Sequence, residues 1–178
     1  MVSPSRPPDP GDHVELTHEH FILDAYLQRP LDASQYELIT HTLVNHLLAA
    51  LGMKCLGPLS IYPATDMRAP GWSFIQPITT SHISGHYFEY PGKHPHIRMD
   101  FYSCNTVDWK KIIRTVHREL AMGSWRGTFL ERMIDEGEPR GILQLAGTGD
   151  RVTEESVAVV RPRVPVLKPG KRLLAGVR

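Results

Sequence analysis

Near the middle of the chain, one nine-residue stretch holds two histidines and two serines: Ile78-Thr79-Thr80-Ser81-His82-Ile83-Ser84-Gly85-His86. Downstream, the run Ile97-Arg98-Met99-Asp100-Phe101-Tyr102-Ser103 ends at Cys104. Hydroxyl, imidazole and thiol are the groups from which nucleophiles, general bases and general acids are drawn. A hydrolytic Ser81–His86 pair is one reading. On a regular strand, however, residues five apart point to opposite faces, so a direct dyad needs a bend or bulge. A triad also needs an acid behind the histidine. Asp100 is available, but no nucleophile-elbow motif surrounds Ser81. On residue chemistry alone, a structural role for a serine or histidine on a strand is the commoner case, and both readings stay open.

The chain has ten histidines, and His18/His20, His82/His86 and His94/His96 are close pairs. A metal centre drawn from His82, His86, His94 and His96 is a competing reading, since positions 94 and 96 fall on one side of a strand. The reading carried forward assigns no metal.

The elements that must position these groups follow from periodicity. The run from His18 reads as a first strand that Pro30 ends. Asp32 or Ser34 can cap a helix, in which Tyr36, Ile39, Leu43, Leu47 and Leu51 form a stripe widened by Leu38, Val44 and Leu48. Gly52 stops it. Cys55–Tyr62 reads as a second strand interrupted by Gly57-Pro58, Trp72–Ile78 as a third, Ser81–Tyr90 as a fourth turned by Pro91-Gly92, and Ile97–Cys104 as a fifth. Thr106 or Asp108 caps a second helix with Trp109, Ile112, Ile113, Val116 and Leu120 inward. Residues 124–136 fit strand or helix, and Gly141–Leu145 fits a further strand. Few helices and short turns favour an α+β two-layer sandwich, a mainly antiparallel sheet with helices on one face, over a doubly wound parallel fold.

The 178 residues suffice for one domain with a real core, and 41% apolar with 22% charged residues fits a globular protein. A net charge of +1 gives no reason to expect nucleic acid or an anionic membrane surface. No apolar run is long enough to span a bilayer. The polar, Pro-rich start lacks a signal peptide's apolar core, and the two cysteines, Cys55 and Cys104, fit a reducing compartment, so a cytoplasmic location is expected. The expected organisation is a disordered lead-in over 1–14, a domain over 15–150 and a basic, Pro-containing tail over 151–178. That tail carries seven Lys/Arg against two acids. Neither a dinucleotide fingerprint nor a phosphate loop is present.

The segment Thr80–His86 with Ile97–Cys104 resembles the prokaryotic S-adenosylmethionine decarboxylases, the pyruvoyl enzymes of polyamine synthesis. Their pattern is Ser-His-(Ile/Leu)-(Ser/Thr)-x-His, then a strand ending Asp-x-(Phe/Tyr)-x-Cys. The similarity extends to His20–Asp24, the helix over 34–51 and Val107-Asp108-Trp109-Lys110, roughly residues 18–120. The resemblance implies cleavage between Thr80 and Ser81, with Ser81 becoming a pyruvoyl group that binds substrate as a Schiff base, and no dissociable cofactor. It implies His86 as the base of the processing step, Ser73 as an assisting serine and Cys104 as the proton donor to substrate. It further implies a small-molecule substrate and a homodimer of cleaved protomers with the active site at the shared interface.

Two departures stand out. The family has an acid where this chain has Thr80. The family's aromatic-Pro-Glu segment, whose Glu grips the ribose hydroxyls, is replaced by Tyr87-Phe88-Glu89-Tyr90-Pro91. There Phe88 and Glu89 are the candidates for substrate binding, and the connection over 91–96 is longer. Decarboxylation of ornithine or arginine by the same machinery, or an unprocessed binding or regulatory homologue, are the alternatives.

Overall fold

Alternation of buried and part-exposed residues builds most of the sheet. The structure, a computed structural model, describes residues 17–66, 68–89, 94–132 and 140–160. In β1 (Glu19–Leu27), Phe21, Leu23, Ala25 and Leu27 are buried and their neighbours are not. A period of two turns one face of a strand to a core and the other away from it. The same period buries Trp72, Phe74, Gln76 and Ile78 of β3 (Gly71–Ile78). It buries Ile83 and Tyr87 of β4 (Ser81–Phe88) and Ile97, Met99, Phe101 and Ser103 of β5 (His96–Ser103). With β2 (Ser60–Pro63), β6 (Met122–Glu131), β7 (Arg140–Thr148) and β8 (Arg151–Val160), these form one sheet in the order β2-β3-β4-β5-β1-β6-β7-β8. Every neighbouring pair is antiparallel, and β1 is held between β5 and β6.

Two helices, α1 (Tyr36–Leu51) and α2 (Trp109–Leu120), pack on each other and share one core with the inward strand residues. They therefore cover one face of the sheet and leave the other open, as the α+β expectation requires. Asp32 accepts a hydrogen bond from the Ser34 amide and caps a short 3₁₀ turn, Ala33–Gln35, just ahead of α1. Thr40, Leu43, Val44, Leu47 and Leu48 form the buried stripe, whereas Leu38, expected in it, is 63% exposed on the far side. Gly52 ends the helix at φ 66°, its amide donating to the carbonyls of Leu48 and Ala49. Asp108 caps α2 by accepting from the Lys111 amide. Between helix and sheet, the Trp72 indole N–H donates to Thr40 Oγ1 (2.9 Å) and Thr40 donates to the Tyr36 carbonyl (2.6 Å), so these buried polar groups are satisfied.

Three local expectations change. Cys55 makes only an isolated bridge to Ile78, and β2 begins at Ser60, because Pro58 has no amide for a ladder. The ambiguous 124–136 stretch forms a strand, β6, as far as Glu131. Residues 151–160, expected as the start of the basic, Pro-containing tail, form edge strand β8, paired with β7 through the turn at Gly149. Val152, Thr153, Val157 and Val159 supply the β-branched content that outweighs the nearby charges. The 1–14 lead-in, the Pro91-Gly92 turn and residues 161–178 lie outside the described residues. Among those described, no helix is long and apolar enough to cross a membrane.

Candidate active site

The link between β3 and β4 is the two residues Thr79 and Thr80, which places Ile78 opposite Ser81 and, counting back, Ser73 opposite His86. Opposed residues share a face. Ser73 Oγ and His86 Nδ1 accordingly lie 2.5 Å apart, on the open face of the sheet. The other ring nitrogen, His86 Nε2, is buried without a partner. The His86 ring lies 3.9 Å from the Phe88 ring, which in turn stacks on His96 at 4.7 Å. Burial, reinforced by His96 nearby, holds the His86 pKa below that of an ordinary histidine, so its neutral form is favoured. Glu89 follows the strand end, with its amide bonded to the Pro70 carbonyl.

The opposite end of β4 is built differently. Ser81 has φ 150°, a conformation that side-chain-bearing residues rarely adopt and that costs on the order of 1–3 kcal/mol. The carbonyl of Thr80 accepts a hydrogen bond from the Cys104 amide at 2.9 Å. Thr80 Oγ1 accepts from the hydroxyl of Ser103, which is fully buried and itself accepts from the Asn105 amide. The peptide unit before Ser81 is therefore gripped through both its carbonyl and its side chain. Ser81 Oγ lies 3.1 Å from His82 Nδ1. Cys104 is a free, part-buried thiol that the amide bond to Thr80 brings to this same end.

The structure thus brings Ser73 to His86, and Cys104 to Thr80–Ser81. It does not bring the two groups together. The β4 ladders with β3 and β5 run without a register shift, so the bend that a direct Ser81–His86 dyad needs is absent. Five residues of strand separate the two by about 16 Å.

Other groups crowd the open face near Ser81. His18 Nδ1 pairs with the Tyr102 hydroxyl at 3.0 Å, His20 Nε2 with Asp100 at 3.1 Å, and the His82 ring meets Tyr102 edge-on. The histidines named for a metal are dispersed: His82 lies by Tyr102, His86 by Ser73, and His94 and His96 by Tyr26. Among the described residues no three His, Cys, Asp or Glu side chains are grouped to hold a metal ion. Gly85 faces the helices, opposite Phe74 across the β3–β4 ladder. A Cβ there would meet the Phe74 ring at 2.5 Å, so the space belongs to Phe74.

The sequence did not point to the contact of His82 with Ser81 or of Ser103 with Thr80. Sequence reasoning also missed the Ser73–His86 pairing, which a two-residue turn between the two expected strands already dictates. The family model for S-adenosylmethionine decarboxylase matches residues 19–133, from the start of β1 past the end of β6. No curated protein matches the chain.

Proposed function

The chain belongs to the S-adenosylmethionine decarboxylase family, and from that premise we propose that it is a self-cleaving, pyruvoyl-dependent carboxy-lyase. Its substrate is S-adenosylmethionine, and its product supplies aminopropyl groups for polyamine synthesis. The observation that carries this reading is the state of one peptide unit: Ser81 sits at φ 150° while the Thr80 carbonyl is held by the Cys104 amide. Attack of Ser81 Oγ on that carbonyl relieves the conformation and moves charge onto an oxygen that already has a donor. These residues fit the making of a pyruvoyl group from Ser81. That group supplies a ketone that takes up the electron pair left as CO₂ departs. Cys104, at the same end, is assigned the return of a proton to the substrate carbon.

His86 is assigned the removal of the Ser81 α-proton during processing. With Nδ1–H donating to Ser73 Oγ, the unpartnered Nε2 carries the lone pair, and burial keeps the ring neutral for the task. Phe88 offers an apolar wall beside it, and Glu89 a carboxylate for the ribose hydroxyls. His86 is about 16 Å along the strand from Ser81 of its own chain. We therefore assign the site to a homodimer that meets across the open sheet face, where His86 and Ser73 of one copy serve Ser81 of the other.

Denaturing mass spectrometry tests the processing. The expected result is two fragments split after Thr80, the second blocked at Ser81 and reactive to carbonyl reagents. Release of CO₂ from S-adenosylmethionine, ornithine and arginine, assayed in parallel with Ser81→Ala as control, identifies the substrate. Co-expressing Ser81→Ala with His86→Ala tests the shared site. Cleavage of the His86→Ala chain reappears if His86 acts across the dimer, and stays absent if it acts within one chain. Thr80 in place of an acid favours one second reading, an uncleaved binding homologue. A single intact chain of 20.1 kDa in a well-folded dimer would establish it.

A further inference from the structure

We propose that His82 is the base for the first step of self-cleavage, taking the proton of Ser81 Oγ as that oxygen attacks the Thr80 carbonyl. The inference rests on the self-cleavage reading and assigns a step within it. Ser81 Oγ lies 3.1 Å from His82 Nδ1, within the reach a general base needs. Among the described residues it is the only side-chain partner of that hydroxyl. The electrophile already has a donor on its oxygen, since the Thr80 carbonyl accepts from the Cys104 amide at 2.9 Å. Nucleophile, base and oxyanion donor thus lie around the one Thr80–Ser81 peptide unit, with Ser81 in a conformation that cleavage of this unit would release. His86 cannot take this part from its own chain, since Ser73 holds its Nδ1 and it lies about 16 Å away. The His82 ring is confined by the Tyr102 ring, 6.0 Å away at 63°, and the Tyr102 hydroxyl is fixed by His18.

With the ring proton on Nε2, the lone pair of Nδ1 faces the Ser81 hydroxyl. The bond from Oγ to the Thr80 carbonyl carbon forms, the hydroxyl proton passes to Nδ1, and the carbonyl π pair moves onto the Thr80 oxygen. The pair then returns to re-form the carbonyl, the bond from carbon to the Ser81 nitrogen breaks, and the imidazolium gives its proton to that nitrogen. The product is an ester between Thr80 and Ser81 Oγ with a free amine on Ser81. No atom is gained or lost, and His82 ends neutral.

The test separates this step from the elimination that follows. In a His86→Ala background the ester accumulates, and hydroxylamine cuts it to leave a hydroxamate on Thr80 that mass spectrometry reads directly. Adding His82→Ala is expected to slow ester formation roughly 100-fold, the usual worth of a general base, with partial rescue by added imidazole. Ester formation at the parent rate overturns the proposal. A slow rate that imidazole leaves unchanged also overturns it, by giving the ring a structural role. If the alanine variant fails to fold, His82→Gln replaces it under the same criteria. An uncut wild-type chain that yields no ester would sink the processing reading and this step together, whereas a cleaving wild type with an indifferent His82 sinks this step alone.

Discussion

At its first residue β4 carries a serine in a rarely adopted backbone conformation, preceded by the Thr80 carbonyl that the Cys104 amide holds. At its sixth it carries a relaxed, cross-strand Ser73–His86 pair in regular register, walled by Phe88. One end holds a residue at a rarely adopted backbone angle; the other holds a part-buried imidazole whose Nε2 has no partner. If the proposed processing holds, the difference means that a single strand carries both halves of a reaction about 16 Å apart, out of reach of each other. Under the proposed shared site, an isolated chain would be kept from completing the chemistry and assembly of two copies would bring the halves together.

Ser81→Ala should break the comparison outright, because it removes the attacking oxygen. Complete loss of the fragments split after Thr80, read by denaturing mass spectrometry, is expected. His86→Ala acts on the other end and should slow completion of processing by 10²–10⁴-fold, leaving uncut or ester-linked chain on denaturing gels. Ser103→Ala sharpens the first end. It releases Thr80 Oγ1 and removes the side-chain acceptor of the exposed Asn105 amide, costing about 0.5–1.5 kcal/mol in a urea titration. Gly85→Ala probes the strand between the two ends. Its Cβ would enter the Phe74 ring, and a loss of about 1–3 kcal/mol is expected from the same titration.

The smallest effect concerns pH. Burial first, then nearby charge, lowers the pKa of His86, and burial first lowers that of His96. The unfolded chain therefore binds protons at these sites before the folded one does. Stability should be level above pH 6.5, the ordinary histidine value, and decline as pH falls below it toward the depressed values. Replacing both with asparagine should flatten that decline in urea midpoints, whereas an unchanged slope would assign it to other groups.

Much of this was legible in residue order. The strand and helix sequence, the Asp108 cap, the Gly52 stop and the two-layer class follow from local rules that the packing does not overrule. Cys104 lay at the end of an expected strand beside the one bearing Ser81. What was not legible depends on partners distant in sequence. The conformation of Ser81 contradicts its own local preference and exists because the surrounding sheet imposes it. The grips of Ser103 and Cys104 on Thr80 come from the last residue of β5 and the one after it, across a connection whose length no local rule predicts. What fills the space beside Gly85, the Phe74 ring, was also not legible, because an absent side chain does not say what takes its place. The charges and prolines beyond position 160 obscured the β-branched strand just before them.

The sheet order has a mechanical consequence for a chain severed after Thr80. The leading piece would own β1, β2 and β3, and the trailing piece β4 to β8. Because β1 is gripped by β5 on one edge and β6 on the other, the pieces interlock like the fingers of two hands. Pulling them apart means stripping three ladders at once, β1 from both neighbours and β3 from β4. The cut would thus free a chain end for chemistry while leaving the body of the molecule as tightly closed as before.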